Sequence, residues 1–129
     1  MATVNGTSGN DFIHIAGDGL TPPAGYTDNP GATNGDDAIT SGNGGSDIIH
    51  AGGGNDTIYF GSDLDSTDQI DGGDGNDTLV VSDQTSVVFG ANSLTSIEKI
   101  FLPTVLHQVG FAASQSLTST MPMSPPTPT

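Results

Sequence analysis

The sequence predicts an all-β solenoid, in which short strands stack along two faces of a flattened coil. One observation is a nine-residue pattern that occurs twice in nearly the same form, AGGGNDTIY at residues 51–59 and GGDGNDTLV at residues 72–80. Each copy has a glycine-rich turn, then Asn-Asp, then a short β-prone apolar tripeptide. The other observation is an aliphatic residue two positions after the aspartate in every copy, which is the pattern of a buried column.

Weaker copies of the pattern surround these two. When the copies are aligned on the aspartate that precedes the tripeptide, their spacings are 26, 10, 9, 12 and 9 residues. The copies occupy residues 6–14, 32–40, 42–50, 51–59, 63–71 and 72–80. The aligned aliphatic residues are Ile13, Ile39, Ile49, Ile58, Ile70 and Leu79. Because no polar residue interrupts this column, the sequence predicts one continuous apolar interior.

The repeat length divides into a strand and a turn. A tripeptide is long enough for one short strand whose middle side chain points inward. The remaining residues reverse the chain, and glycines are needed where φ is positive or where backbones approach closely. Alternate repeats therefore stack on the same face at about 4.8 Å. Their aspartates then lie side by side, next to turn carbonyls, and such hard oxygen ligands suit calcium, which takes about six to eight.

The composition limits the partners and the source of stability. The formal net charge is −14, with Lys99 as the one basic residue and with aspartate at every acidic position except Glu98. This charge argues against nucleic acid and anionic membranes as partners and favours cations. No apolar run is long enough for a transmembrane helix, and the N-terminal residues lack the basic and apolar regions of a signal peptide. The small aliphatic column and the many glycines, which are costly to order, predict that bound metal stabilises the fold.

The copies at residues 51–59 and 72–80 resemble the nonapeptide of the RTX (repeats-in-toxin), or hemolysin-type, calcium-binding family. The resemblance covers roughly residues 6–89. It implies a calcium-bound parallel β-roll, a right-handed β-solenoid with ions between the turns of repeats n and n+2. It also implies the ligands: the carbonyls of positions 2 and 4 and the aspartate of one turn, with the carbonyls of positions 1 and 3 and the aspartate of the other.

Carried onto this sequence, the resemblance implies about four calcium ions, which would bring the formal charge from −14 to −6. The ligands implied on one side are Gly52, Gly54 and Asp56 facing Gly72, Asp74 and Asp77, and Thr33, Gly35 and Asp37 facing Ala51, Gly53 and Asp56. Those implied on the other side are Asn43, Gly45 and Asp47 facing Asp63, Asp65 and Asp68, and Thr7, Gly9 and Asp11 facing Gly42, Gly44 and Asp47. The turn at residues 63–68 contains no glycine and is the weakest copy.

The chain divides into three predicted parts. Residues 1–89 form the roll, with residues 15–31 inserted as a Pro- and Gly-rich loop, because insertions in a solenoid emerge at its surface. Residues 81–89 place Val88 in the aliphatic column and Ser86 at the aspartate position, and are expected to be a metal-free closing rung. Residues 90–102 are expected to be capping strands, and residues 103–129 a Ser-, Thr- and Pro-rich tail or arm.

Two histidines share the ninth position of their repeats. His14 and His50 lie two repeats apart and would stack on one face. They are either outward-facing surface residues, which is the favoured interpretation, or a second metal site. No Ser or Cys lies beside a His in the context of an activated nucleophile, so no catalytic site is predicted.

The resemblance implies a bacterial protein at the cell surface or outside the cell, exported unfolded without a cleavable N-terminal signal and folded by external calcium. Three functions remain open. The chain is a structural or assembly scaffold, whose tail docks on another copy or leads to a larger parent protein. Alternatively, it is the non-catalytic C-terminal domain of a secreted protease, lipase or epimerase. The third possibility is an adhesin module that binds a ligand through loop 15–31.

Overall fold

In the computed structural model, short parallel strands build two five-stranded sheets around one apolar core, which is a parallel β-roll. The structure describes residues 1–42, 44–61, 64–82, 86–90, 93–102 and 108–111, with residues 86–88 and 108–111 described as backbone only. No helix in these residues is long and apolar enough to cross a membrane. The predicted all-β fold class is confirmed.

The described residues form twelve strands in chain order. They are β1 Thr3–Asn5, β2 Asp11–Ile15, β3 Thr27–Ala32, β4 Ala38–Thr40, β5 Ile48–His50, β6 Thr57–Phe60, β7 Gln69–Asp71, β8 Thr78–Val81, β9 Ser86–Phe89, β10 Leu94–Thr95, β11 Lys99–Phe101 and β12 Gln108–Phe111. One sheet has the order β1-β4-β6-β8-β11 and the other β10-β7-β5-β2-β3, while β9 pairs with β12. Alternate repeats therefore pair on the same face, as the repeat length predicts.

The predicted aliphatic column forms the core because the parallel register aligns one inward residue from each strand. In the first sheet these residues are Val4, Ile39, Ile58, Leu79 and Ile100. In the second sheet they are Ile13, Ile49, Ile70 and Leu94. All nine are buried, and each buried side chain of this size stabilises the fold by about 1.5–3 kcal/mol.

The insert at residues 15–31 differs from its prediction as a loop. Its last part belongs to strand β3, which pairs with β2 in the register Asp11↔Thr27. The Thr27 N–H donates to the Asn10 carbonyl at 2.8 Å, so this strand covers the outer edge of β2. Pro30 is compatible with an edge strand because no further strand needs its missing N–H. The loop prediction is therefore wrong for residues 27–31.

The closing rung also differs from its prediction. Strand β9 pairs with β12, and Leu94–Thr95 takes the place beside β7. The side chain of Val88 lies outside the described residues, as do residues 103–107 and 112–129 of the predicted tail; residues 108–111 form β12.

Candidate metal centre

Two columns of aspartates run along the roll where each turn enters its strand. The first column consists of Asp37, Asp56 and Asp77, and the second of Asp11, Asp47 and Asp68. All six side chains are at most 2% exposed. Charged side chains are almost never this buried without a partner of opposite charge. The columns therefore require a source of positive charge or protons.

The first column is joined rung by rung. The Asp37 N–H donates to Asp56 Oδ1 at 2.7 Å, and the Asp56 N–H donates to Asp77 Oδ1 at 2.8 Å. One oxygen of each carboxylate is thus fixed on the backbone of the preceding turn. The predicted facing pairs Asp37–Asp56 and Asp56–Asp77 are brought together.

The second column repeats this arrangement. The Asp11 N–H donates to Asp47 Oδ1 at 3.0 Å, and the Asp47 N–H donates to Asp68 Oδ1 at 2.8 Å. Both predicted facing pairs on this side are also brought together. The repetition follows from the parallel register, since Asp11 begins β2 while Asp47 and Asp68 directly precede β5 and β7, and these strands pair in the order β2, β5, β7.

The second oxygen of two carboxylates has no donor in the described part of the chain. Asp56 Oδ2 and Asp77 Oδ2 are buried and accept no hydrogen bond there. Leaving a buried acceptor unsatisfied typically costs about 1–3 kcal/mol, and more when the group is charged. Such an oxygen points to a bound ion or a proton. Calcium fits because it bonds directly to carboxylate oxygen.

Threonine supplies hydrogen-bond donors to the aspartates of the two N-terminal turns. The Thr7 N–H and hydroxyl donate to Asp11 at 2.7 and 3.0 Å, and the corresponding groups of Thr33 donate to Asp37 at 2.7 Å each. Gly52 and Gly73 occupy the same place in the later turns and offer no hydroxyl. The carboxylates of the first two turns therefore have local donors that Asp56 and Asp77 lack.

Glycine is required where the turns of the first column stack. A Cβ on Gly73 would lie 2.0 Å from the Gly52 carbonyl oxygen, and one on Gly75 would lie 2.0 Å from that of Gly54. Gly73 and Gly75 have φ values of 79° and 111°, which side chains rarely tolerate. The absence of Cβ atoms lets the carbonyls of Gly52 and Gly54, at positions 2 and 4, approach the next turn, where the Asp74 N–H donates to the Gly52 carbonyl at 3.0 Å.

The second column has a register shift that the repeat did not predict. Ser41 lies opposite Gly6, because a Cβ on Gly6 would be 2.1 Å from the Ser41 carbonyl oxygen. Gly42 is correspondingly against Thr7, with its Cβ position 2.0 Å from the Thr7 carbonyl oxygen. The structure therefore makes Gly42 the second residue of its turn and not the first. Asn43, a predicted ligand here, lies outside the described residues.

The glycine-free turn closes on its own side chains. The Asp65 N–H donates to Asp68 Oδ2 at 2.9 Å, and the Thr67 N–H donates to Asp65 Oδ1 at 2.8 Å. Asp65 is exposed, whereas Asp68 is buried in the column. The predicted ligand Asp63 lies outside the described residues. Hydrogen bonds thus replace part of what glycine provides in the other turns.

The donor atoms along the columns are oxygens. Among the described residues, no group of three or more His, Cys, Asp or Glu side chains converges as a metal site. The two carboxylates of each facing pair therefore need backbone carbonyls to complete the coordination shell of a cation. A mixed set of carboxylate and carbonyl oxygens suits a hard cation of flexible coordination, which favours calcium over zinc or copper.

Without a bound cation, Asp56 and Asp77 of the first column have raised pKa values and hold their protons unusually tightly. Burial raises the pKa of Asp56 to about 7, and the charges of Asp77 and Asp37 add to the rise against the opposing Asp37 hydrogen bond. Burial likewise raises the pKa of Asp77 to about 6, with the charge of Glu98 adding to it. A cation in the column replaces these protons as the compensating charge.

In a chelated solution, acid is therefore expected to stabilise the fold. The pKa values of Asp56 and Asp77 in the folded state lie above the ordinary 3.8, so protonation of these two groups favours the folded state. The stabilisation is fully present below pH 3.8 and is lost as the pH rises through the folded values of about 6 and about 7. Far-UV circular dichroism with chelator should show more β signal at about pH 5 than at about pH 8. Asp56→Asn should reduce the difference, and less β signal at the lower pH contradicts the expectation.

Glu98 extends the first column and was missed by sequence analysis. Strand β11 pairs with β8 in the register Lys99↔Thr78, which places Glu98 beside Asp77. The Asp77 N–H donates to Glu98 Oε1 at 3.4 Å. A sequence signal for Glu98 was present. In Glu98-Lys99-Ile100 an acidic residue is followed two positions later by an aliphatic residue, as the aspartate is in each copy of the repeat.

In the described part of the chain, His14 and His50 do not belong to any group of three or more His, Cys, Asp or Glu side chains that could hold a metal. His14 is 5% exposed, so the expectation of an outward surface residue is wrong for it. Its Nδ1 lies 2.9 Å from Asp18 Oδ1 and its Nε2 lies 2.7 Å from Asp28 Oδ1. A neutral imidazole has one N–H and can donate to only one of them. Both bonds form together only if the ring is protonated. The protonated His14 then attaches the insert to the roll through Asp18 and Asp28.

The pKa of His14 is expected to be raised. Burial lowers it, but the hydrogen bonds and charges of Asp18 and Asp28 outweigh burial and raise the pKa above 6.5. Attachment of the insert is thus strongest below that value and weakens as the pH rises through the raised pKa. An NMR titration should show a lower His14 pKa in Asp28→Asn and no change in Asp36→Asn. A wild-type value below 6.5 contradicts this expectation.

A comparison with protein families agrees with this geometry. A model described as the RTX calcium-binding nonapeptide repeat, in four copies, matches residues 3–14, 32–66 and 64–84. The matched segments make up about half of the chain, and the gap between the first two coincides with the insert. No curated protein and no solved structure matches the chain.

Proposed function

The chain belongs to the RTX calcium-binding nonapeptide repeat family, and we propose that calcium folds it outside the cell into a structural or assembly scaffold. Its calcium-binding repeats form a non-catalytic β-roll module. The observation that carries the proposal is the stack of buried carboxylates, in which Asp56 Oδ2 and Asp77 Oδ2 have no donor among the described residues. A fold with such oxygens in its interior needs cations to be stable.

Four ions are proposed, one between each pair of facing turns. In the first column the ligands are Gly52, Gly54 and Asp56 with Gly72, Asp74 and Asp77, and Thr33, Gly35 and Asp37 with Ala51, Gly53 and Asp56. In the second column the ligands described are Gly45 and Asp47 with Asp65 and Asp68, and Thr7, Gly9 and Asp11 with Ser41, Gly44 and Asp47. Ser41 replaces Gly42 here because, with the register shift, Ser41 lies opposite Gly6, at the first position of its turn. Bound calcium would neutralise the carboxylates and link successive turns.

Folding coupled to calcium supports a place outside the cell. Ions that bind only the folded chain stabilise it in proportion to the logarithm of their concentration, about 2.7 kcal/mol per site at 100 times the dissociation constant. The formal charge of −14 opposes compaction where calcium is scarce. The same chain would remain extended inside the cell and fold on reaching external calcium.

The insert supports a structural role over ligand binding. Strand β3 adds a fifth strand to the second sheet, and His14 holds the insert through Asp18 and Asp28. These contacts use the polar groups of the insert for attachment to the roll. The segment thus covers one end of the stack, as expected of a scaffold element.

Native mass spectrometry with sedimentation tests the proposal. The calcium-loaded chain should carry at least four ions, and the chelated chain should sediment as an expanded species. An assembly role predicts oligomers that form only with calcium. A compact chain that binds no calcium refutes the module's proposed folding role, and a calcium-loaded monomer at all concentrations refutes assembly.

A further inference from the structure

The first aspartate column does not end at its last repeat. Beyond Asp77, Glu98 occupies the next rung, half-buried at the start of strand β11. The Asp77 N–H donates to Glu98 Oε1 at 3.4 Å, as the Asp56 N–H donates to Asp77 Oδ1 at 2.8 Å. The glutamate thus takes the role of an aspartate and reaches the column from a shorter turn, with one extra methylene.

Asp77 presents its unsatisfied oxygen to this end of the column. Asp77 is fully buried, and its Oδ2 has no donor among the described residues. This oxygen lies 2.6 Å from the position a Gly72 Cβ would take, and the Ser96 carbonyl oxygen lies 2.3 Å from the same point. Two acceptors from successive turns therefore approach one place, and the described residues supply no proton between them.

Two further carbonyls are expected to face the same way. In the preceding rung, the carbonyl oxygens of Gly52 and Gly54 approach the next turn to within 2.0 Å of the Cβ positions of Gly73 and Gly75. If the stacking continues, the carbonyls of Gly73 and Gly75 are expected to face the connection between β10 and β11. That connection is only residues 96–98 and has no glycine turn to cover them. This side of the site remains open to water.

Among the described residues, the negative charge at this end has no basic partner. Lys99, the one basic residue, follows Glu98 directly, but its side chain is exposed. The ion pairs of the described residues involve histidines and do not include Glu98. Two carboxylates one rung apart repel each other unless a cation or proton lies between them.

We infer that Asp77 and Glu98 form a fifth divalent-cation site at the C-terminal end of the roll. The carbonyls of Gly73, Gly75 and Ser96 contribute, and water completes the shell. The site takes calcium, because all its ligands are hard oxygens. It is more hydrated than the sites between full turns and binds more weakly. The inference rests on the proposed calcium-dependent fold but adds a site outside the repeats.

Calorimetric calcium titration and native mass spectrometry of the full chain test the inference. The wild type should bind five ions, and Glu98→Gln should bind four, with the weakest step lost and the others unchanged. Asp36→Asn, which removes an exposed carboxylate and introduces the residue present at Asn55 and Asn76, should keep all five. Glu98→Asp, whose side chain is one methylene shorter, provides a second variant in case Glu98→Gln does not fold. It should fold and bind the last calcium ion more weakly than the wild type.

The outcomes separate this inference from the proposed function. A wild type that binds no calcium refutes both. Four ions in the wild type, or a Glu98→Gln variant with unchanged ion number and affinities, refutes the fifth site alone. Loss of all binding steps in a folded Glu98→Asp variant also overturns it, because the site would not be separable from the repeats.

Discussion

Asp56→Asn is expected to destabilise the calcium-loaded fold by about 2.8 kcal/mol, because Asp56 serves two sites and each is weakened about tenfold, or 1.4 kcal/mol. If folding is coupled to four ions, the calcium concentration at the folding midpoint should rise about threefold, since the combined factor of about 100 is distributed over four binding steps. Asp56 lies between Asp37 and Asp77. Its Oδ1 accepts a hydrogen bond from the Asp37 N–H, and its own N–H donates to Asp77 Oδ1. Asparagine keeps the shape and one acceptor but removes the charge. The calcium midpoint of folding, followed by circular dichroism, measures the effect.

Asp36→Asn is the matched control for this substitution. Asp36 lies in a neighbouring turn, is exposed, and accepts the Asn55 N–H at 2.7 Å through an oxygen that asparagine retains. Both variants lose one negative charge, so a general electrostatic effect would shift both midpoints alike. Equal shifts would show that Asp56 acts as a surface charge and not as a ligand.

Gly75→Ala is expected to destabilise the calcium-loaded roll by more than about 3 kcal/mol, from left-handed backbone strain and overpacking together. Its φ is 111°, and an added Cβ would lie 2.0 Å from the Gly54 carbonyl oxygen. Backbone cannot rotate away as a flexible side chain can, so the two turns would have to separate. Urea unfolding at saturating calcium measures the loss.

Two other glycines separate the causes of this effect. Gly19 has a φ of 84° with open space around it, so Gly19→Ala should cost only the backbone strain of about 1–2 kcal/mol. Gly61 has neither a positive φ nor a neighbour within 4 Å of its Cβ position, so Gly61→Ala should have little effect. If Gly75→Ala is no worse than Gly19→Ala, the turns are not in close contact.

The repeat was predictable because its physical requirements are local and recur. An aliphatic residue in each tripeptide, such as Ile58 or Leu79, must face inward, and parallel pairing of alternate repeats follows from that. The aspartate columns follow from the same register. Asp56 and Asp77 were paired by spacing alone, and the structure joins them.

What the sequence did not predict depends on contacts between distant residues. His14 was expected at the surface because its repeat position faces outward, but the insert brings Asp18 and Asp28 onto its ring. Strand β3 forms because the edge of β2 offers free backbone groups, although its Pro and Gly content suggests a loop. Glu98 joins the column only because the short connection after β10 returns the chain to β8.

Chelation and restoration of calcium, followed by far-UV circular dichroism at neutral pH, test the central claim most directly. With chelator, the repulsion between stacked carboxylates and the small core should leave the chain without its β spectrum. Added calcium should restore the spectrum cooperatively, and magnesium, which demands stricter octahedral geometry, should not. A β spectrum that chelator leaves unchanged would contradict the account.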